Sequence, residues 1–281
     1  MHSRKASKHK VSLKEIVGDR PHYNIHAINQ LDTDIKERAY SLLVPDKVFQ
    51  LFDIDRNTFL NRDGDRVFTF KTPQKAAFAI IEVREYPDDL DCIFYLEIED
   101  TPFFKVSISF LIINDLRSPR FNTDKDEQGR RTKFGTARRN VLEEIRAMQA
   151  GLAPGQVRKG LRLLRHFFPL SLQFFSSMGQ DMITAEPLAY HDAIIFENYG
   201  FDYIRGKKLM QDINREFQPG GELFEKLDGS TPFRQPGMHK SVRGRSWALH
   251  DGILGEPWKG PEMYRSLEHA ANVCTFPGQA Y

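Results

Sequence analysis

Two extended runs joined by a short turn constrain the fold of this chain more than any other feature of its sequence. Residues 92–99 and 103–114 alternate side chains of different polarity, as strands with one buried face do. Between them, residues 100–102 are Asp, Thr and Pro, which favour a turn. We predict an antiparallel hairpin whose inward side chains are Cys92, Phe94, Leu96, Ile98, Phe104, Val106, Ile108, Phe110 and Ile112.

The segments on either side of this hairpin alternate between strand and helix patterns. Their polarity and turn residues predict strands over residues 67–71, 76–85 and 181–185. They predict helices over residues 34–43, 45–52, 136–151, 154–168, 207–217 and 261–273. The expected fold class is α+β, a mixed and mostly antiparallel sheet flanked by helices.

Residues 189–203 predict a helix that ends at a glycine and leads directly into a strand. Gly200 suits a helix C-terminus because glycine adopts the left-handed conformation without a Cβ clash. Phe201 and Tyr203 then alternate as the start of a short strand would.

The chain divides into three predicted segments. Residues 1–30 read as a basic flexible arm followed by loop, and residues 31–217 carry the predicted α/β domain. Residues 218–261 are rich in Gly and Pro and hold both tryptophans, so we expect residues 218–281 to pack on the domain as an extension. With 281 residues, the chain is long enough to bury a substantial core.

The composition argues against a membrane or disulfide-rich protein. The chain is 40% hydrophobic, and no apolar run reaches the ~20 residues that a spanning helix needs. No apolar stretch follows the basic N-terminus, as a secretory signal would require. The two cysteines, Cys92 and Cys274, form no Cys-x-x-Cys pair, so we expect a reducing, cytoplasmic setting.

A net charge of +2 conceals a basic segment. Residues 130–165 contain ten Lys or Arg residues but only two acids, Glu143 and Glu144. A stretch of about +8 favours an anionic partner, such as a phosphorylated cofactor, nucleic acid or a lipid headgroup. A solvated helix face is the alternative interpretation.

Two other patterns in the sequence resemble parts of functional sites. Residues 53–64 begin like a calcium loop, but Thr58 replaces the required glycine and Gly64 the required glutamate, so no metal site is predicted. The four phenylalanines of residues 166–178 are most simply core, with a lipid or acyl-chain pocket as the sharper alternative. They are Phe167, Phe168, Phe174 and Phe175.

Over roughly residues 65–205, the order of elements resembles the GCN5-related N-acetyltransferase (GNAT) superfamily. In that family the strand before the central helix splays from its neighbour, and pantetheine lies between them. The resemblance assigns that strand to residues 103–114 and the pyrophosphate-binding turn to residues 154–161. The family helix ends in Tyr-x-x-x-Gly-Phe, to which residues 196–201 are similar, with Phe196 in place of the tyrosine that often acts as general acid.

The family pyrophosphate signature is Gln or Arg, two residues, Gly, one residue, then Gly or Ala. Read from Gln156, the two small positions hold Lys159 and Leu161. Read from Val157, they hold Gly160 and Arg162. Neither frame matches in full, so the resemblance is to a divergent member.

The resemblance implies an N-acyltransferase that moves an acyl group from acetyl-CoA or a longer acyl-CoA to a small-molecule or peptide amine. The implied catalytic candidates are Glu97, Glu99 and Tyr199. The implied cofactor-binding residues are Ile112, Ile113, Gln156, Arg158, Lys159 and Gly160. For the two glutamates a solvated sheet face is the alternative, and for Arg158 and Lys159 an exposed basic turn.

A second hypothesis is a non-catalytic module that holds a polyanion, such as nucleic acid, on residues 130–165. Phe196 favours this reading because phenylalanine has no proton to give. The glycine-phenylalanine unit favours the enzyme. The sequence leaves the acceptor and the oligomeric state open.

Overall fold

The computed structural model describes residues 11–18, 24–132, 139–278 and 280–281. They form an α+β fold in which helices flank a seven-stranded mixed sheet, as the sequence predicts. The strands are β1 (Phe68–Lys71), β2 (Phe78–Val83), β3 (Phe94–Asp100), β4 (Val106–Ile113), β5 (Met182–Ala185), β6 (Asp202–Arg205) and β7 (Glu262–Ser266). The α-helices are α1 (Leu13–Val17), α2 (Ile25–Asn29), α3 (Thr33–Ser41), α4 (Asp46–Leu51), α5 (Val141–Gln149), α6 (Leu164–Ser177), α7 (Tyr190–Asn198), α8 (Lys207–Glu216), α9 (Glu222–Glu225) and α10 (Val242–His250).

The sheet runs in the order β1-β2-β3-β4-β5-β7-β6. In the described part of the chain, β4 and β5 form the one parallel pair, and every other pair is antiparallel. The predicted β3–β4 hairpin is confirmed. A parallel pair needs a crossover, and α6 lies within the segment that connects β4 to β5.

The inward side chains of β4 differ from the prediction because of a β-bulge. Ile98 pairs with Ile108, but the residue just before it in β3, Glu97, pairs with Phe110. Ser109 is therefore an extra residue on β4. Side chains alternate with a period of two, so one inserted residue exchanges the faces of everything beyond it.

The bulge turns Phe110 and Ile112 to the sheet face that carries Glu97, and the prediction that they point into the core is wrong. Leu111 and Ile113 pack against the core instead. Phe104 was also predicted to point inward, but it lies in the hairpin turn and is 80% exposed. Before the bulge, Val106 and Ile108 are buried as predicted.

The core lies where α6 meets the opposite face of the sheet. Phe167 of α6 contacts Phe94 of β3, with their ring centroids 6.1 Å apart. Phe174 likewise meets Tyr40 of α3. All four phenylalanines of residues 166–178 are at most 3% exposed, so the core interpretation of that run is confirmed.

Three predicted segments differ from the structure. The helix predicted over residues 154–168 begins only at Leu164, because the residues before it pair with the loop after β4. The helix predicted over residues 261–273 is wrong: this segment contains β7, whose pairing with β5 and β6 overrides its helix pattern. The predicted arm and loop of residues 1–30 lie partly outside the described residues, which omit 1–10 and 19–23, and the described part contains α1 and α2.

The C-terminal segment contributes to the core of the fold in two ways. β7 lies inside the sheet, between β5 and β6. Trp247 of α10 is 1% exposed, stacks on Phe233 and donates an indole hydrogen bond of 2.8 Å to the Leu152 carbonyl. This contact joins α10 to the segment between β4 and α6. No helix in the described residues is both long and apolar enough to span a bilayer.

A carboxylate with two guanidinium partners fixes the long connection after β4. Asp91 accepts hydrogen bonds from Arg158, at 2.7 Å, and from Arg120, at 2.9 Å. Burial opposes ionisation of Asp91, but these two bonds outweigh it and lower the pKa of the carboxyl. The ion pair holds the segment before α6 against the start of β3.

We expect Asp91→Asn to lower the free energy of unfolding by about 3 kcal/mol at pH 7, because it leaves the largely buried Arg158 guanidinium without a carboxylate and leaves Arg120 with Asp124 alone. Because the pKa of Asp91 is lowered in the folded state, its ionised form stabilises the fold at pH values above the unfolded pKa, and this stabilisation is lost as the pH falls. The difference in unfolding free energy between the parent chain and Asp91→Asn should therefore shrink below about pH 4. Urea unfolding at several pH values measures this.

The exposed Asp88→Asn serves as the matched control and should change stability by less than about 0.5 kcal/mol. Equal stabilities of the two variants at pH 7 would contradict the structural role of Asp91.

Candidate functional site

A gap opens between β4 and β5 where their ladder ends. The two strands pair over three positions only, the last being Ile108 with Ala185. β5 then ends, whereas β4 continues to Ile113. In the described residues, the edge of β4 over 109–113 has no strand partner on the β5 side; we call this opening the β4–β5 gap. The bulge at Ser109 lies where the strands part, and bulges bend the strand that carries them.

The far end of the gap is bounded by the segment before α6. Gly160 forms an isolated bridge with Asn114, and the Asp115 amide donates to the Lys159 carbonyl at 2.8 Å. A Cβ on Gly160 would lie 3.2 Å from the Ile113 carbonyl oxygen, tighter than an ordinary contact. Glycine thus allows this segment to run close against the end of β4.

Helix α6 begins at Leu164, four residues after Gly160. Leu163 provides no side-chain cap, and the first turn contains no acidic residue. A helix start of this kind leaves backbone N–H groups and the positive end of the helix dipole available to an anion. Arg162, just before it, has a φ of 57°, a left-handed conformation that favours glycine.

The basic segment 130–165 is partly neutralised by ion pairs. Within the described residues, four of its cations pair with acids: Arg130, Arg139, Arg146 and Arg158. Lys133 and Arg138 lie outside the described residues. Lys159, Arg162 and Arg165 are exposed and form no ion pair within the described parts of the chain. Arg131 is exposed too, in the loop after β4. Lys159 and Arg162 precede the start of α6 and Arg165 lies in its first turn, so most of the positive charge that is unpaired in the described residues is concentrated there.

The predicted cofactor-binding residues fall into two groups. Lys159 and Gly160 lie between the gap and α6. Ile112 and Ile113 lie on the β4 edge of the gap, with their side chains on opposite faces of the sheet. Arg158 is engaged elsewhere: besides Asp91 it donates to the Leu116 carbonyl at 3.1 Å and to the Ser118 carbonyl. The Gln156 side chain accepts a hydrogen bond of 2.8 Å from the Ala153 amide.

The two predicted catalytic glutamates lie on the partly exposed face of the sheet, and each accepts a hydrogen bond from a hydroxyl group. The Tyr95 hydroxyl donates to Glu97 at 3.1 Å, and the Ser109 hydroxyl donates to Glu99 at 2.7 Å. Burial, followed by the nearby Glu97 carboxylate, raises the pKa of Tyr95 to about 12, so its phenol stays protonated at neutral pH. Because Phe110 is the cross-strand partner of Glu97, this carboxylate lies next to the gap-lining part of β4.

Tyr95 was not among the predicted site residues. The signal was present, because Tyr95 and Glu97 are two residues apart on one strand and therefore share a face. The hydrogen bond between Ser109 and Glu99 could not be predicted from the sequence, because it depends on the bulge.

The third catalytic candidate, Tyr199, lies in an aromatic cluster at the end of α7. Its ring stacks on Phe168 at 4.1 Å, and burial raises the pKa of its phenol. Phe196 and Phe201 pack against the same phenylalanine. In the described residues no hydrogen bond joins Tyr199 to either catalytic glutamate candidate, so the structure does not unite the predicted trio.

The glycine-capped helix is confirmed. Gly200 has a φ of 80°, and a Cβ there would lie 2.8 Å from the Ala270 side chain, so only glycine suits the position. The same unit contains a buried carboxylate: Glu197 is 3% exposed and accepts hydrogen bonds from Tyr203 and from Thr275. These bonds tie α7 to the C-terminal segment.

The described residues contain no group of three or more His, Cys, Asp or Glu side chains arranged to bind a metal ion. No protein-family model, curated protein or solved structure matches this chain.

Arg162 offers a test of the backbone at the start of α6. We expect Arg162→Gly to be more stable than Arg162→Ala by about 0.5–1 kcal/mol, because alanine keeps the cost of the left-handed conformation and glycine removes it. Both variants lose the same charge, so each controls for the other. Chemical denaturation measures the difference, and a more stable alanine variant would show that residue 162 is not left-handed.

Proposed function

We propose that this chain is an acyl-CoA-dependent N-acyltransferase, a divergent member of the GNAT superfamily, which transfers an acyl group from a CoA thioester to an amine. The observation that carries the proposal is the β4–β5 gap, beside an uncapped helix start that retains free positive charge. The order of a meander, a crossover helix, a parallel strand and a glycine-capped helix agrees with the resemblance.

The exposed backbone of β4 suits a pantetheine chain. Pantetheine contains two amide groups, and an extended chain with amides pairs with a free strand edge as an added strand would. Residues 109–113 present such an edge on the β5 side. This supports a pantetheine arm that enters the gap with its thioester toward the end where the strands part.

The start of α6 suits the cofactor pyrophosphate. Helix N-termini bind phosphate through free N–H groups and the helix dipole. Lys159 and Arg162 add two exposed cations there. The left-handed φ of Arg162 supports the signature frame that starts at Val157, since that frame requires a small residue at this position. In this proposal Arg158 supports the loop through Asp91 and does not contact phosphate.

Glu97 is the preferred general base. The amine nitrogen attacks the thioester carbonyl carbon, Glu97 takes the proton that the nitrogen loses, and the carbon–sulfur bond breaks to release the thiolate, which is protonated by solvent. Tyr95 positions Glu97 through its hydrogen bond. Glu99 lies two residues after Glu97 on β3 and accepts a hydrogen bond from the Ser109 hydroxyl. We therefore assign it a supporting role on the side of the amine acceptor.

The polyanion-binding alternative has less support. Four of the ten cations on which it relies are ion-paired, and the exposed ones in the described residues cluster mainly at one helix start. A compact cluster suits a small phosphorylated cofactor better than a long nucleic-acid backbone.

Isothermal titration with CoA, acetyl-CoA and longer acyl-CoA tests the binding step. We expect 1:1 binding, weakened roughly tenfold or more in the double variant Lys159→Gln/Arg162→Gln, because two charge-assisted phosphate contacts are lost. The exposed Lys75→Gln, which removes one charge from the β1–β2 turn, is the control and should bind like the parent chain. Absence of binding to all three ligands would overturn the proposal.

Glu97→Gln separates chemistry from binding. We expect its CoA affinity to be unchanged and its acyl-transfer rate toward a panel of primary amines to fall about 100-fold, since general-base catalysis contributes this much or more. Free thiol release measures the rate. A variant as active as the parent would exclude Glu97 as the base, and CoA binding without transfer to any amine would favour a non-catalytic protein.

A further inference from the structure

A second cavity system lies between α1, α4 and α6, on the helical side of the core. Its larger part has a volume of about 530 Å³, within the range of small-molecule sites. Most of its wall is apolar, with Leu13, Leu42, Phe49, Ile54, Leu170 and Phe174 among the lining residues. Phe174 belongs to the aromatic run for which an acyl-chain pocket was the alternative to core.

A smaller cavity of about 380 Å³ continues from the first along α4 and α6. The two share four lining residues: Asp46, Gln50, Leu170 and Gln173. Beyond these, the smaller cavity adds Lys47, Arg165, His166 and Pro169. The system is thus apolar at one end and basic at the other.

The basic end contains polar groups without partners. In the described residues Lys47 and Arg165 form no ion pair, and the His166 Nε2 atom is buried with no hydrogen-bond partner. Asp46 does not neutralise this end, because it is paired with Arg56.

We propose that this cavity binds a single-chain fatty acid, with its carboxylate at Lys47 and Arg165 and its alkyl chain along Leu170 toward Phe49 and Phe174. The charge at the basic end is complementary to a carboxylate. The apolar end removes a hydrocarbon chain from water, at about 0.8 kcal/mol for each buried CH₂ group.

This site is separate from the β4–β5 gap. It is lined by helices rather than by strand edges, and it uses Lys47 and Arg165, whereas the proposed pyrophosphate site uses Lys159 and Arg162. Arg165 lies in the first turn of α6, close in sequence to Lys159 and Arg162, but only the fatty-acid proposal assigns it a ligand contact. The two proposals are tested with different ligands and different variants.

Titration of the full chain with dodecanoate tests the proposal. We expect saturable 1:1 binding, roughly tenfold or more weaker for dodecanol, which lacks the charge. Hexanoate should bind at least about 100-fold more weakly, because six methylene groups fewer are buried. No saturable binding of dodecanoate would overturn the proposal.

Two variants probe the two parts of the site. Lys47→Gln/Arg165→Gln removes the charged end, and Gln173→Trp, at an exposed position that lines both cavities, obstructs the chain. We expect each to weaken dodecanoate binding roughly tenfold or more while leaving the circular dichroism spectrum unchanged. Leu170→Trp is a second obstructing variant in case Gln173→Trp does not fold.

Lys75→Gln/Lys208→Gln removes two exposed cations outside both proposed sites, so it serves as the matched charge control and should bind dodecanoate as the parent chain does. Equal affinity of the parent, the Lys47→Gln/Arg165→Gln variant and the folded obstructing variant would overturn the assignment of the ligand to this cavity.

Discussion

The separation of β4 from β5 determines where the candidate site can form. Parallel neighbours gain from each further ladder pair, yet these strands pair at three positions and then part. The extra residue Ser109 bends β4 at this point, and β5 ends at Ala185. Within the residues that the structure describes, this edge of β4 has no strand partner beyond Ile108, and an unpaired edge readily accepts another extended chain.

The connection after β4 holds the end of this gap in place. Asp91 joins Arg120 and Arg158, Gly160 allows the chain to run against the end of β4, and Trp247 fixes the same connection to α10. These contacts fix the position at which α6 starts. The uncapped N-terminus, with cations that have no ion-pair partner in the described part of the chain, therefore lies near the gap.

Local patterns in the sequence were sufficient to predict much of the fold. The strands from 67 to 114 and the glycine cap at Gly200 follow from side-chain alternation and from backbone preferences that act over a few residues. β7 could not be predicted in this way, because its strand form depends on pairing with β5 and β6. The late start of α6 depends likewise on hydrogen bonds to the distant 115–121 loop.

The candidate site was predictable only in part. The resemblance predicts Lys159 and Gly160, and the strand face predicts Glu97; the structure gives their positions, and their roles remain predictions. The bulge at Ser109 has no signature in the sequence. The sheet face on which Phe110 lies and the hydrogen bond between Ser109 and Glu99 therefore could not be predicted. The partnership of Arg158 with Asp91 joins residues that are 67 positions apart, and a charge count alone cannot distinguish such a cation from a free one.

Amide hydrogen exchange of the full chain with and without saturating CoA reports on the edge of β4 itself. We expect exchange to slow for residues 109–113 and 160–166 when CoA binds, while β1 and β2 remain unchanged. Binding of CoA with protection confined to other segments would contradict the claim that the β4–β5 gap receives the cofactor.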